Sequence, residues 1–261
     1  MSTAQPNPPA LLSLQKITRV FGGLTAVKDL SFEVKAKQLF GLIGPNGAGK
    51  TTVFNLITGM YAPTQGEIVF QQKPIQGRKP HQIARVGIAR TFQNIRLFSE
   101  LSVLDNVLVA KHMDKSQSFL GALFRSAVFR DEEEKFRQEA RHLLSLFGLE
   151  SFQNELAGNL PYGSQRRLEI ARALATHPQL LLLDEPAAGM NPQESGDLMR
   201  LIRRLRDEFH CAVLLVEHNM KVVMGVCETI HVIDHGETIA EGNPEEVRNH
   251  AKVIEAYLGG V

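Results

Sequence analysis

Tryptophan is absent from the 261 residues, tyrosine appears three times and cysteine twice. Two cysteines cannot make a disulfide scaffold. Cys211 ("HCAVLL") and Cys227 ("MGVCETI") lie in apolar segments without metal-ligand spacing, so they read as buried free thiols of a reducing compartment. An excess of one charge is also lacking. Lys and Arg number 29 against 28 Asp and Glu, a formal net charge of +1, so no global field recommends nucleic acid or an acidic surface as a partner. No uninterrupted apolar run approaches the roughly 18 to 20 residues of a membrane span. The opening "MSTAQPNPPA" lacks the apolar centre of a secretory leader. The expectation is a soluble, cytosolic chain. Internal repeats and low-complexity tracts are missing too. What is present is 43% hydrophobic residues, ample for a core of one large or two small domains.

Residues 1–10 read as a flexible N-terminus, and 11–261 as one domain. "LLSLQKITRVF" and "LTAVKDLSFEV" alternate as β-strands. In the second, the spacing of Val27, Leu30, Phe32 and Val34 predicts a twist or bulge. "QLFGLIG" reads as a fully buried strand, followed by a helix through "TVFNLITG", a turn around Pro63 and Gly66, and a strand "GEIVFQ". Beyond "GIARTFQN" the pattern predicts helix for about seventy residues, with Phe136, Ala140, Leu143, Leu144 and Phe147 on one buried face. This reads as a helical subdomain inserted over about 95–170. "LLLLD" and "AVLLVE", separated by the charged helix "ESGDLMRLIRRLRDEF", form a βαβ pattern and imply a parallel sheet covered on both faces. The hairpin "ETIHVIDHGETIAEG" and a helix opened by Asn243 and Pro244 complete the chain.

Chemistry is concentrated in "GPNGAGKT", Gly44 to Thr51, which fits G-x-x-x-x-G-K-[ST] between a predicted strand and a predicted helix. Gly44, Asn46, Gly47, Ala48 and Gly49 form a loop whose N–H groups can turn toward phosphate oxygens, and the helix start adds roughly half a positive charge. Lys50 supplies a full one. Thr51 offers a hydroxyl to Mg²⁺, and Thr52 reaches a phosphate from the same helix start. Asp184, at the end of "LLLLDEP", is placed for the Mg²⁺ shell, and Glu185 for polarising a water against the γ-phosphate of ATP. His218, after the next buried strand, serves as a polar sensor of that region.

In order, spacing and flanks these residues resemble the nucleotide-binding subunits of ABC transporters over nearly the whole chain. Gly44 to Thr51 matches the family's Walker A motif and Leu180 to Glu185 its Walker B with catalytic glutamate. Gln93 in "RTFQN" matches the Q-loop, "LPYGSQ" the signature, "AAGMN" the D-loop and His218 the switch histidine. "VFGGLTAV", "YGSQRRLEIARAL", "DEPAAGMNP" and "VIEAYLG" are most similar to the LivG-type ATP-binding subunits of branched-chain amino-acid importers. The resemblance implies an α/β P-loop NTPase (RecA-like) core with a parallel sheet, an N-terminal antiparallel β subdomain and the inserted helical subdomain. It further implies that Phe21 stacks on adenine with Val27 nearby, and that Gln93 senses Mg²⁺ and the attacking water.

By the same resemblance, the signature residues Tyr162, Gly163, Ser164 and Gln165 serve ATP held by a second subunit, head to tail. The physics is that of a helix start meeting an anion, with Gly163 allowing close approach. The usual motif is LSGGQ. Here Pro161 stands in the place of its serine, Tyr162 of its first glycine and Ser164 of its glutamine; either backbone donors together with Ser164 suffice, which is the favoured expectation, or this half-site is the weaker of two. Asn191 stands where the D-loop often carries aspartate. The implied partners are that second ATPase subunit, identical or related, membrane-spanning permease subunits and, indirectly, a substrate-binding protein. The implied location is peripheral, on the cytoplasmic face of the membrane. Met113 to Glu134, with Phe119, Leu120, Leu123, Phe124, Val128 and Phe129 among arginines, reads either as a hairpin packed on its own subdomain or as an amphipathic element docking on the membrane partner. A soluble ABC ATPase acting on ribosomes or DNA is the alternative function, but such proteins usually pair two cassettes or carry a long coiled coil, and this chain does neither. A P-loop kinase of small molecules would have no use for the signature run.

Overall fold

In the computed structural model, which describes residues 9–112 and 127–258, the chain forms two compact units, Met1–Ile88 with Gln179–Val261 and Ala89–Pro178. The flexible start predicted for 1–10 falls mostly outside the described residues, and so do the Phe119 to Phe129 side chains of the proposed amphipathic element.

The first unit opens with β1 (Leu12–Phe21) and β2 (Leu24–Val34), an antiparallel hairpin. Phe21 pairs with Leu24, so Gly22 and Gly23 are a two-residue turn, and both take the positive φ that such turns require. The irregularity expected in β2 is present. Asp29 has φ 47°, and the register slips between Ile17 and Arg19, whose partners Leu30 and Val27 lie three residues apart. That slip resets the alternation, so Val27 and Leu30, three residues apart, both face the core with Phe32 and Val34. After β3 (Leu39–Ile43), β4 (Gln65–Phe70) and β5 (Lys73–Pro74) complete a four-stranded sheet in the order β2-β1-β4-β5.

The second sheet holds β6 (Ile88–Arg90), β7 (Leu180–Asp184), β8 (Ala212–Val216), β9 (Thr229–Asp234) and β10 (Glu237–Gly242) with β3, in the order β10-β9-β3-β8-β7-β6. The run β9-β3-β8-β7 is parallel and β10 pairs antiparallel with β9. Every residue of β3, β7 and β8 is buried, which is why these strands are continuous apolar runs rather than alternating ones. Phe54 of the helix Lys50–Ile57 packs in one core with Leu12 and Phe70 of the first sheet and Leu182 and Leu214 of the second. Cys211 and Cys227 are free and buried, and burial pushes both thiols up to about 12, so they are inert at neutral pH.

The second unit carries the helices Val103–His112, Ala127–Leu146 and Tyr162–Leu174. Ala140, Leu143, Leu144 and Phe147 are buried as the spacing predicts, whereas Phe136, expected on the same face, is only half-buried. Continuous helix directly after "TFQN" does not occur: residues 91–101 are irregular, and helix resumes only at Val103. Asn106, wholly buried, holds that segment by accepting from the Phe98 N–H (3.0 Å) and donating to the Phe98 and Ser102 carbonyls (3.0 Å each). The predicted helix fails there because distant side chains, not an i−4 ladder, satisfy the backbone. No helix among the described residues is long and apolar enough to cross a membrane.

Candidate functional site: a phosphate-binding loop and its acids

Register brings the chemistry to one edge of the sheet. Leu42 of β3 lies opposite Val216 of β8, and Val216 opposite Asp184 of β7. The three strands therefore end level, and the residues that follow them, the loop from Gly44, Glu185, and Glu217 with His218, emerge together at the carboxyl edge where open parallel sheets bind ligands.

The loop fits its motif for steric reasons. A Cβ on Gly44 would lie 2.0 Å from the Ile233 carbonyl oxygen, and one on Gly49 (φ 104°) 2.6 Å from that of Ala26. Only glycine lets the loop lie this close to β2 and β9. Ala48 is buried beneath it, Asn46 and Gly47 are exposed, and open space surrounds Gly47. Val27 is fully buried against Gly49, so it supports the loop from below. Thr51 is exposed and Thr52 half-buried on the first turn of Lys50–Ile57.

Lys50 is 8% exposed and its Nζ donates to the carbonyls of Gly44 (2.7 Å) and Pro45 (2.8 Å). Burial lowers its pKa below the ordinary 10.5, with Glu185 and Asp184 pulling the other way. A buried ammonium held by neutral carbonyls gains from an incoming phosphate, so the loop fits a nucleotide. The Thr51 hydroxyl and the buried Asp184 carboxylate are hard oxygens of the kind that Mg²⁺ takes. No group of three or more His, Cys, Asp or Glu able to hold a metal exists among the described residues.

Glu185 adopts φ 47°, a left-handed conformation that costs a non-glycine residue roughly 1–2 kcal/mol. Its N–H donates to the Val216 carbonyl (2.8 Å), so the ladder holds the residue while the chain turns away. His218 Nδ1 stands 3.7 Å from Glu185 Oε2, beyond hydrogen-bond length but in ion-pair range when the imidazole is protonated.

Sequence reasoning missed two residues here. Glu217, 1% exposed, accepts from the N–H groups of Ala187 (2.8 Å), His218 (2.8 Å) and Asn219 (2.9 Å). It ties the segment after Glu185 to the histidine. A lone acid directly after "LLV" was the available signal. Tyr61 packs edge-on against Phe21, centroids 5.1 Å apart, and the Arg19 guanidinium lies over both rings. Phe21 is thus half-buried in an aromatic platform that no motif announces. Asn191 caps the helix Pro192–Phe209, accepting from Gln193 and Glu194 N–H (2.9 Å each), and aspartate would do the same work.

In the second unit, Gln93 is exposed and its carbonyl accepts from Arg166 (2.6 Å). The helix Tyr162–Leu174 begins as predicted, after Pro161. Ser164 does not point its hydroxyl outward: it is 5% exposed and accepts from Arg167 (3.0 Å). The N–H groups of Ser164 and Gln165 both donate to the Pro161 carbonyl (2.9 Å), and the Gln165 side chain donates to Leu160 O (2.9 Å). The N–H groups of Tyr162 and Gly163, on the first turn of the helix, are the ones left for an anion, while the Ser164 hydroxyl is engaged by Arg167.

Comparison with known proteins gives two family matches, "ABC transporter" over residues 27–188 and "Branched-chain amino acid ATP-binding cassette transporter" over 237–261. The chain is 49% identical to the high-affinity branched-chain amino acid transport ATP-binding protein BraF of Pseudomonas aeruginosa, across 95% of this chain and 98% of that one. It is 46% identical to the LivG protein of Escherichia coli, with the same coverage. Among solved structures, the ADP conformation of MJ1267, an ATP-binding cassette of an ABC transporter, matches with TM-score 0.84 and 31% identity over 97% of this chain and all of that one. The dimeric post-hydrolysis state of the cassette MJ0796 bound to ADP and Pi matches with TM-score 0.74 and 26% identity over 89% and 98%.

Proposed function

The chain belongs to the ABC transporter family of ATP-binding subunits, with its α/β P-loop NTPase fold, and on that premise we propose that it is the ATP-hydrolysing motor of a branched-chain amino-acid importer. The observation that carries this reading is the level ending of β3, β7 and β8, which gathers Lys50, Asp184, Glu185 and His218 at one edge. Relatives matched over nearly their whole length are branched-chain amino acid transport ATP-binding proteins by name, and nothing favours the soluble alternative.

In this reading Phe21 and Tyr61 receive adenine, and Lys50 with the loop N–H groups and Thr52 holds the phosphates. Thr51 and Asp184 would hold Mg²⁺, which would supply positive charge against the phosphates, and Gln93 of the second unit would respond to it and to the attacking water. Glu185 accepts the proton of a water as its oxygen bonds to γ-phosphorus and the bond to the bridging oxygen breaks, leaving ADP and phosphate. His218 steadies the transferring group. The site is closed by Tyr162 and Gly163 of a second cassette, identical or related, as pairing in the family supports. Binding closes the pair and hydrolysis reopens it, driving permease subunits fed by a substrate-binding protein. The chain sits at the cytoplasmic face of the membrane.

Affinity purification of the tagged chain from detergent-solubilised membranes should bring down apolar membrane subunits. Recovery with ribosomes or nucleic acid, and a steep salt dependence, would favour the soluble alternative. Pro161→Ser in the assembled complex should change ATPase by less than about tenfold, or roughly 1.4 kcal/mol, because Tyr162 and Gly163 supply the donors whichever residue precedes them. A larger gain would mean that the natural half-site is crippled.

A further inference from the structure

Arg166 is the largest wholly buried side chain of the described residues, yet it lies on the helix that the function uses only at its first turn. Its Nη1 donates to the Phe92 carbonyl (2.6 Å) and to Glu169 Oε2 (3.0 Å). Its Nη2 donates to the Gln93 carbonyl (2.6 Å) and the Tyr162 hydroxyl (3.1 Å). Glu169, 1% exposed, in turn accepts from the N–H groups of Phe92 (3.4 Å) and Arg96 (3.2 Å). One ion pair, one turn apart on a helix, thus grips the irregular segment 92–96 by two carbonyls and two N–H groups, and the same guanidinium touches Tyr162. Stability alone is a poor explanation, since a buried ion pair can be replaced by apolar residues of like volume at little loss.

We propose that Arg166 and Glu169 are positioning residues that make the Gln93 segment and the first turn of the signature helix move as one body. Gln93 answers to nucleotide in the chain's own site, whereas Tyr162 and Gly163 face nucleotide held by the partner, an assignment that rests on the paired-cassette reading above. The clamp therefore couples occupancy of one site to closure of the other. A guanidinium is required because only a planar fork reaches two successive carbonyls and a carboxylate together.

The test compares Arg166→Met/Glu169→Leu, which leaves no buried charge unpaired, and Arg166→Lys, with Lys111→Met/Glu139→Leu. The last removes a second ion pair of the same unit, Lys111 with Glu139, away from segment 92–96. Each is assayed in the assembled complex for kcat and KM, and as dilute chain for affinity toward a fluorescent ATP analogue. The clamp variants should keep nucleotide affinity within about twofold and lose more than about tenfold in kcat per folded molecule, with Arg166→Lys recovering only part. Lys111→Met/Glu139→Leu should leave kcat intact, whatever it does to Tm. If the clamp variants, folded, turn over within about twofold of the parent, or if both ion pairs affect kcat alike, the pair is merely structural and the proposal falls. In the same assay, full turnover by dilute unpaired parent chain would overturn the paired-site reading itself, and this coupling with it.

Discussion

Glu185→Gln is expected to bind ATP with unchanged affinity, to lose about 10²- to 10⁴-fold in turnover, and to accumulate an ATP-bound pair of cassettes. Glutamine keeps the size and the polar contacts of the carboxylate but cannot take a proton from water. The backbone is indifferent to the exchange, since the Glu185 N–H to Val216 bond and the left-handed φ of 47° involve no carboxylate oxygen. Asp184, Lys50 and the loop glycines, the proposed metal and nucleotide contacts, are untouched. Closure therefore proceeds and reopening stalls. Single-turnover kinetics with size-exclusion chromatography in ATP and Mg²⁺ separates the outcomes: hydrolysis at the parent rate would remove Glu185 as the base. Glu185→Gly supplies a backbone control. It relieves the positive φ, so its Tm should exceed that of Glu185→Gln, while its turnover stays as low.

How much of this was written in the sequence depends on whether the relevant forces are local. β3, β7 and β8 were legible because burial on both faces demands unbroken apolar runs, and "LFGLI", "LLLLD" and "AVLLV" are such runs. The loop was legible because the fixed glycine spacing reflects close approach to Ile233 and Ala26. Arg166 and Glu169 were not. An i,i+3 pair of opposite charge looks like an exposed helix face, and only the return of residues 92–96, more than seventy positions away, buries it. The same distance explains why helix was wrongly expected after "TFQN". Asn191 shows the reverse case: it differs from the residue the family often carries, yet the capping geometry accepts either. Likewise Ser164 looked like a donor in a motif whose spacing is linear, but helix geometry turns its hydroxyl onto Arg167.

Lys50→Met should weaken ATP binding by about 10- to 100-fold, the worth of charge-assisted bonds to phosphate, and abolish measurable turnover. Methionine matches the stem of lysine in length, so the variant should stay folded, and only the ammonium is lost. The pH dependence distinguishes this charge from a generic one. Burial holds the Lys50 pKa below 10.5 in the free protein, so the ammonium is lost at lower pH than that of an exposed lysine. Phosphate binds the charged form, so ATP affinity should fall with rising pH within the window below 10.5, whereas the affinity of Lys50→Met should stay flat there. The effect on folding has the opposite sign. Between its lowered folded value and 10.5 the unfolded chain holds more protons at this residue, so Lys50 adds stability as pH rises, while Cys211 and Cys227, raised to about 12, subtract it above their ordinary 9.0. Isothermal titration with ATP across that window, on parent and variant together, would give parallel pH profiles if the ammonium of Lys50 were not the group that meets the phosphates.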